Sequence, residues 1–363
     1  MPTASQHPVE PVDEKGARLR IAILTDAWHP QINGVVTTLT RTAAELERMG
    51  HTVELIGPER FRNYPCPGYP DVRLAFLCGP SLRRILEEFQ PDAIHLATEG
   101  AVGFAARRYC RARGFHYTTS FHSRFPEYLH MRIGLPLSVS YGYLRWFHRR
   151  SRRILVATES LGEELRRRGF APPWALWPRG VDTALFRPRR KDFLPDPRPI
   201  FLYAGRVAVE KNVEDFLRLD LPGTRYVVGD GPQRAELQAR YPEVRFTGFL
   251  TGERFACHLA AADVLVFPSR TDTFGLIALE ALACGVAVAA YPVPGPQDVL
   301  RDPAVAVLDE DLGGAALRAL RLDPRTCRRY ALQFSWEAAT RQFLASLTPR
   351  VPDPLLLQGK PHV

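Results

Sequence analysis

The feature that most constrains the fold of this 363-residue chain is an alternation that it runs through twice. Short apolar runs of strand formers at Leu19–Leu24, Val53–Gly57, Ala93–Ala97, Tyr117–Phe121 and Ile154–Ala157 are separated by stretches with helical spacing. Val36, Leu39, Ala43 and Leu46 mark the first helix, and Gly50 stands where a stop is expected. A second series repeats the pattern at Ile200–Ala204, Tyr226–Gly229, Val244–Thr247, Val264–Pro268, Val286–Ala290 and Val305–Leu308. Strand, helix, strand in repetition predicts a parallel sheet with helices on both faces. Between the series, Pro188, Pro195, Pro197 and Pro199 stand among charges, where neither helix nor strand continues.

The layout expected is therefore α/β, two doubly wound Rossmann-like domains facing across a cleft. A polar leader (1–18) precedes an N-terminal domain (19–188), a linker (189–199), a C-terminal domain (200–330) and a helix with a tail (331–363) that packs back on the first domain. Such sheets bind ligands beyond their strand C-termini, so the cleft is the expected site.

Composition narrows the function classes. With 45% hydrophobic and 24% charged residues the chain is an ordinary globular one rather than a disordered one. The six cysteines, at 66, 78, 110, 257, 284 and 327, lack the close spacing of a zinc site or redox motif. No apolar run approaches the ~18–20 residues that span a bilayer, and the first twenty residues carry no apolar targeting segment. A cytoplasmic protein is expected, with peripheral membrane attachment left open. The net charge of +9 permits an anionic partner without requiring one. Of 48 basic residues only Lys15, Lys191, Lys211 and Lys360 are lysines.

Four segments at strand ends carry the candidate chemistry. Asn33-Gly34-Val35-Val36 opens a helix after the first strand, where a glycine lets backbone approach a ligand and helix amides meet an anion; turn geometry alone explains such a glycine equally well. Arg206 and Lys211 stand on the loop leaving the strand that opens the second series, placed to converge on one phosphate group. A solvated basic loop is the alternative, and a lysine in so arginine-rich a chain argues against it. In the third segment, Phe274, Gly275 and Leu276 open a helix behind Asp272, and Glu280 sits among apolar neighbours. Were 272–280 helical throughout, the two carboxylates would stand roughly 12 Å apart, too far to act on one bond and suited to holding hydroxyls at two ends of a long ligand. Last, His122 follows a first-domain strand, either as a structural histidine or as a donor and proton shuttle at the cleft.

Together with Pro30–Val36, Ser120–Pro126, Pro178–Asp182, Gly229–Pro232 and Thr271–Gly275, these segments resemble glycosyltransferase family 4, the retaining nucleotide-sugar transferases of the GT-B fold. The resemblance runs from about Arg20 to the segment Phe334–Glu337. It is strongest to the branch of α-mannosyltransferases and the sulfoquinovosyl and glucosyl transferases of diacylglycerol.

The resemblance implies that Gly34 admits the donor's diphosphate or sugar, and that Arg206 and Lys211 hold the diphosphate. Glu280 would take the ribose hydroxyls, Phe274, Gly275 and Leu276 would give amides to phosphate, and His122 would contact the sugar. Asp272 matches the first acid of the E-x7-E motif, usually a glutamate. The donor implied is GDP-mannose or a UDP-hexose such as UDP-glucose, the acceptor a lipid or glycan. Neither metal nor cofactor is expected, since no cluster of acidic ligands accompanies the phosphate site.

Residues 141–153 mix five arginines with four aromatics, a composition suited either to an anionic membrane surface or to a helix packed inward. Two further readings of the chain are a nucleotide-sugar 2-epimerase, which shares the facing domains, and a basic nucleic-acid-binding protein. The scatter of the arginines and the lack of a nucleic-acid module argue against the latter.

Overall fold

A computed structural model describes residues 18–67 and 69–351. Of the polar leader only Arg18 falls within that range, and the tail beyond 351 lies outside it. In chain order the strands are β1 (Arg20–Leu24), β2 (Thr52–Ile56), β3 (Asn63–Cys66), β4 (Tyr69–Ala75), β5 (Ala93–Leu96), β6 (Thr118–Phe121), β7 (Ile154–Val156), β8 (Trp174–Leu176), β9 (Ile200–Ala204), β10 (Thr224–Val228), β11 (Arg245–Gly248), β12 (Val264–Phe267), β13 (Ala287–Ala290) and β14 (Ala306–Leu308). They form two six-stranded sheets, ordered β2-β1-β5-β6-β7-β8 and β11-β10-β9-β12-β13-β14. Every neighbouring pair in both sheets is parallel.

Each sheet starts in its middle and is wound outward in both directions, so its strand order reverses beside β1 in one and beside β9 in the other. On the far side of those points, β5 in one sheet and β9 and β12 in the other are buried along their whole length, as parallel strands covered on both faces are. Two elements escape the apolar pattern. The antiparallel hairpin β3–β4 contains Pro65 and Pro70, with the charged Asp71 and Arg73 after them, and β8 is three residues long.

The proline-rich stretch lies against the second sheet. It holds a single turn of 3-10 helix, Lys191–Phe193, whose Lys191 ammonium donates to the Ala262 carbonyl. Arg198 donates to the Ala261 carbonyl at 3.1 Å and pairs with Asp263, at the entry to β12. After the second sheet the chain returns. The helix Trp336–Ser346 lies along the helix Gly34–Arg48, Phe343 packs 4.5 Å from the Trp177 ring, and the Arg350 amide donates to the Asp92 carbonyl at 2.7 Å. The basic aromatic segment is not one helix. A helix spans Leu137–His148, burying Tyr141, Leu144 and Phe147 and exposing Tyr143 and Trp146, and the last arginines follow it in a turn and the entry to β7.

At the crossing of the returning helix, a Cβ on Gly180 would lie 2.2 Å from the Trp336 nitrogen. Backbone cannot yield as a flexible side chain does, so Gly180→Ala should cost about 1–3 kcal/mol in chemical denaturation. Gly142→Ala, in a helix and with nothing closer than 4.0 Å, should instead stabilise by about 0.5–1 kcal/mol.

Candidate active site

The crevice in the second sheet opens because two strands part. β9 and β12 pair only at Phe201 with Val264 and Leu202 with Leu265, so their C-terminal halves are free to diverge, each leading into a loop that bears candidate residues. The loop after β9 is fixed from below by Tyr203, whose hydroxyl donates to the Arg206 carbonyl at 2.7 Å. Asn212, in the left-handed region at φ 53°, reaches across to the Pro268 carbonyl at the end of β12 and ties the two loops together.

Lys211 and Asp272 meet in that crevice at 2.6 Å. Burial opposes the lysine's charge, yet the Asp272 carboxylate, with Tyr128 and Tyr203 around it, holds its pKa well above the ordinary value. Asp272 spends one oxygen on Lys211; the other is buried without a hydrogen-bond partner. A buried carboxylate oxygen left in that state wants a donor, and a sugar hydroxyl is one. Arg206 lies on the same loop, pairs with Asp71 of β4 at 2.6 Å and is about a fifth exposed.

The helix Leu276–Ala283 begins beside them. Gly275 adopts φ +83°, where a side chain would be strained, and no side chain caps the helix start. The amides of Leu276 and Ile277 make no hydrogen bond among the described residues, which leaves the positive end of the helix open for an anion. Phe274 is buried under this turn. The helix starts at Leu276, so the separation expected for an unbroken helix from Asp272 to Glu280 does not apply; Asp272 sits on the preceding loop.

Gly34 lies opposite. A Cβ there would meet only the Leu276 side chain, at an ordinary 3.5 Å, so the fold itself does not demand glycine at this point. The amides expected to serve an anion at this second helix start are taken: Asn33 Oδ1 accepts from Val35 at 2.9 Å and from Val36 at 3.0 Å. Only the backbone's openness at Gly34, not those two amides, remains for a ligand.

Glu280 stands further along its helix, and its carboxyl forms no hydrogen bond or ion pair among the described residues. Burial raises its pKa to about 7; Arg41, paired with Asp182 at 2.8 Å, pulls the other way. A carboxyl held half-protonated near neutrality is poised to accept from hydroxyls once they arrive.

His122 departs most from the sequence reading. Arg179 Nη2 donates to its Nδ1 at 3.0 Å, and because a guanidinium only donates, Nε2 carries the proton and donates to Ser120 Oγ at 2.9 Å. Burial and the Arg179 charge hold its pKa well below the ordinary value, so the ring is neutral with both nitrogens engaged. Proton shuttling at neutral pH is thus not a role this geometry offers. Its carbonyl instead accepts from Thr273 Oγ1 at 2.6 Å, a bond between the two halves beside Asp272.

The structure therefore brings Arg206, Lys211, Asp272, Phe274, Gly275, Leu276 and Gly34 to one crevice, with His122 across from it and Glu280 further along the helix. Three further residues stand at the site: Arg179, buried with its pKa drawn down to about 9 by burial, Glu210 and Asp71. Arg179 and Glu210 lie inside motifs quoted above; nothing in the sequence distinguishes Asp71.

Glu280 makes a pH prediction. Unfolded, it releases its proton near the ordinary value, about 4.3, but folded near 7. Between those values the native state binds more protons, so its contribution is complete at low pH and is lost as pH rises to 7. Glu280→Gln should remove about 1–3 kcal/mol of the difference in unfolding free energy between pH 5 and 7.5.

Comparison with known proteins supplies the family. Residues 32–185 match the model for Glycosyltransferase Family 4, and residues 198–322 match that for Glycosyl transferases group 1. A GDP-mannose-dependent alpha-mannosyltransferase of Mycolicibacterium smegmatis is 31% identical, over 93% of this chain and 96% of its own. The alpha-monoglucosyldiacylglycerol synthase of Streptococcus pneumoniae is 27% identical, over 84% of this chain and 79% of its own. Among solved structures, sucrose-phosphate synthase from Thermosynechococcus elongatus superimposes with a TM-score of 0.75 at 21% identity, over 90% of this chain and 97% of its own. Two facing parallel-sheet halves, the paired family models and relatives of nearly equal length lead to one conclusion: this chain is a glycosyltransferase of family 4 with the GT-B fold.

Proposed function

We propose that the enzyme moves mannose from GDP-mannose to a lipid or glycan acceptor, with retention at the sugar carbon and no metal. The observation that carries the reading is the crevice between β9 and β12, where Arg206, Lys211 and an uncapped helix start come together, with Gly34 beside Leu276 at that helix start. Two cations and a helix dipole complement a diphosphate. They stabilise the charge that grows on it as it leaves, which is electrostatic catalysis without an enzyme nucleophile.

Asp272 then offers its free oxygen to a sugar hydroxyl and Glu280 receives the ribose diol. The bond from Thr273 to the His122 carbonyl keeps the two faces together and excludes water from the donor. Mannose and guanosine are favoured by the mannosyltransferase of M. smegmatis, the more similar of the two relatives named above. A lipid acceptor is supported by the diacylglycerol enzyme of S. pneumoniae and by exposed Tyr143 and Trp146 beside Arg149 and Arg150, side chains suited to an anionic interface. No helix of the described residues is long and apolar enough to cross a membrane, so contact would be peripheral.

Thermal unfolding in the presence of nucleotides tests the donor site. GDP at about 100 times its Kd should stabilise the protein by about 2.7 kcal/mol, and UDP by less. Lys211→Ala or Glu280→Ala should abolish the shift; if both retain it, the donor-site assignment is wrong. Sedimentation with vesicles tests the acceptor side. Binding to vesicles containing anionic lipid should fall at least fivefold in the double variant Tyr143→Ser, Trp146→Ser, and no binding by the unaltered enzyme would remove the membrane reading.

A further inference from the structure

The hairpin β3–β4 belongs to the first half, yet its tip reaches the cations of the second. Asp71 Oδ2 accepts from Arg206 Nη2 at 2.6 Å. Two residues earlier the Tyr69 ring lies beneath two guanidiniums, that of Arg132 at 4.1 Å and that of Arg206 at 5.7 Å from its centre. Arg132, on the helix Phe125–Ile133, pairs in turn with Glu210, whose side chain is only 3% exposed.

The charges alternate in sign and in origin. Asp71 and Arg132 come from the first half, Arg206 and Glu210 from the second. A buried carboxylate needs a partner, and the partner of Glu210 is supplied by the opposite half. Neither half satisfies the cluster alone, so the cluster favours the closed arrangement.

The manner in which Asp71 holds Arg206 matters. A carboxylate standing in for a phosphate takes the guanidinium fork with both oxygens. Asp71 takes one nitrogen with one oxygen, and Nε and Nη1 of Arg206 make no hydrogen bond among the described residues. Because the guanidinium is planar and its donors fixed, holding one corner aims the other two nitrogens.

We infer that Asp71 is a positioning residue for sugar transfer: from the opposite half it orients Arg206 so that Nε and Nη1 face the donor's diphosphate, which makes that contact depend on closure. The inference rests on the reading of Arg206 as a diphosphate ligand given above. Its consequence is selective, since it acts on the second phosphate and not on the nucleoside.

Titration calorimetry of the full chain with GDP and with GMP tests it. Asp71→Ala should weaken GDP about tenfold and change GMP less than twofold, and Asp71→Asn, which keeps an accepting oxygen, should fall between. A loss shared equally by GDP and GMP marks a general structural defect and overturns the inference. So does unchanged or tighter GDP binding in Asp71→Ala; tighter binding would make Asp71 a competitor of the diphosphate. If the unaltered chain does not bind GDP, the site reading itself fails and the inference with it; if it binds GDP and Asp71→Ala binds it equally, only the inference fails.

Discussion

The parting of β9 from β12 is the constraint on which the rest of this molecule depends. Parallel strands hold together by evenly spaced backbone bonds, and helices crossing on opposite faces leave the sheet at the point where its winding reverses. Here the pairing ends at Leu202 and Leu265, and the two loops that leave the strands carry Arg206 and Lys211 on one side and Asp272 on the other. Asn212, bonded to the Pro268 carbonyl, sets how far those loops stand apart. A crevice made in this way is lined by loop tips and by the open start of the following helix, which is the environment an anionic leaving group requires.

Charge inside the crevice is balanced before any ligand arrives. Lys211 faces Asp272, Arg206 faces Asp71 and Arg132 faces Glu210. Isolated buried charges would be costly, and the pairs hold the cations ready at modest cost. Each pair is incomplete in a useful way, because one oxygen of Asp272, one of Glu210 and two nitrogens of Arg206 have no hydrogen bond among the described residues. His122 is the opposite case. Its ring is fully used by Arg179 and Ser120, so its contribution comes through the backbone carbonyl that Thr273 reaches.

Most of the fold was legible in the amino-acid order. Buried parallel strands are short and apolar, and the stretches Ile200–Ala204 and Val264–Phe267 display this plainly. The hairpin β3–β4 was not legible, since Pro65 and Pro70 and the charges at Asp71 and Arg73 obscure any alternation. The candidate residues of the crevice were legible by position, on the loops that leave β9 and β12. Their partners were not. Asp71 lies far from Arg206 in sequence, and an isolated aspartate in a charged segment looks like any solvated one.

By itself, then, the sequence determined two parallel sheets and which cations and acids stand at strand ends, because periodicity acts locally along the chain. Only the tertiary structure decided how those groups are used. It closed the amides of Val35 and Val36 with Asn33, locked the His122 ring with Arg179, left the helix start at Leu276 uncapped and brought Asp71 to Arg206. The availability of a hydrogen-bonding group depends on neighbours distant in sequence, and those neighbours exist only once both halves have folded and met.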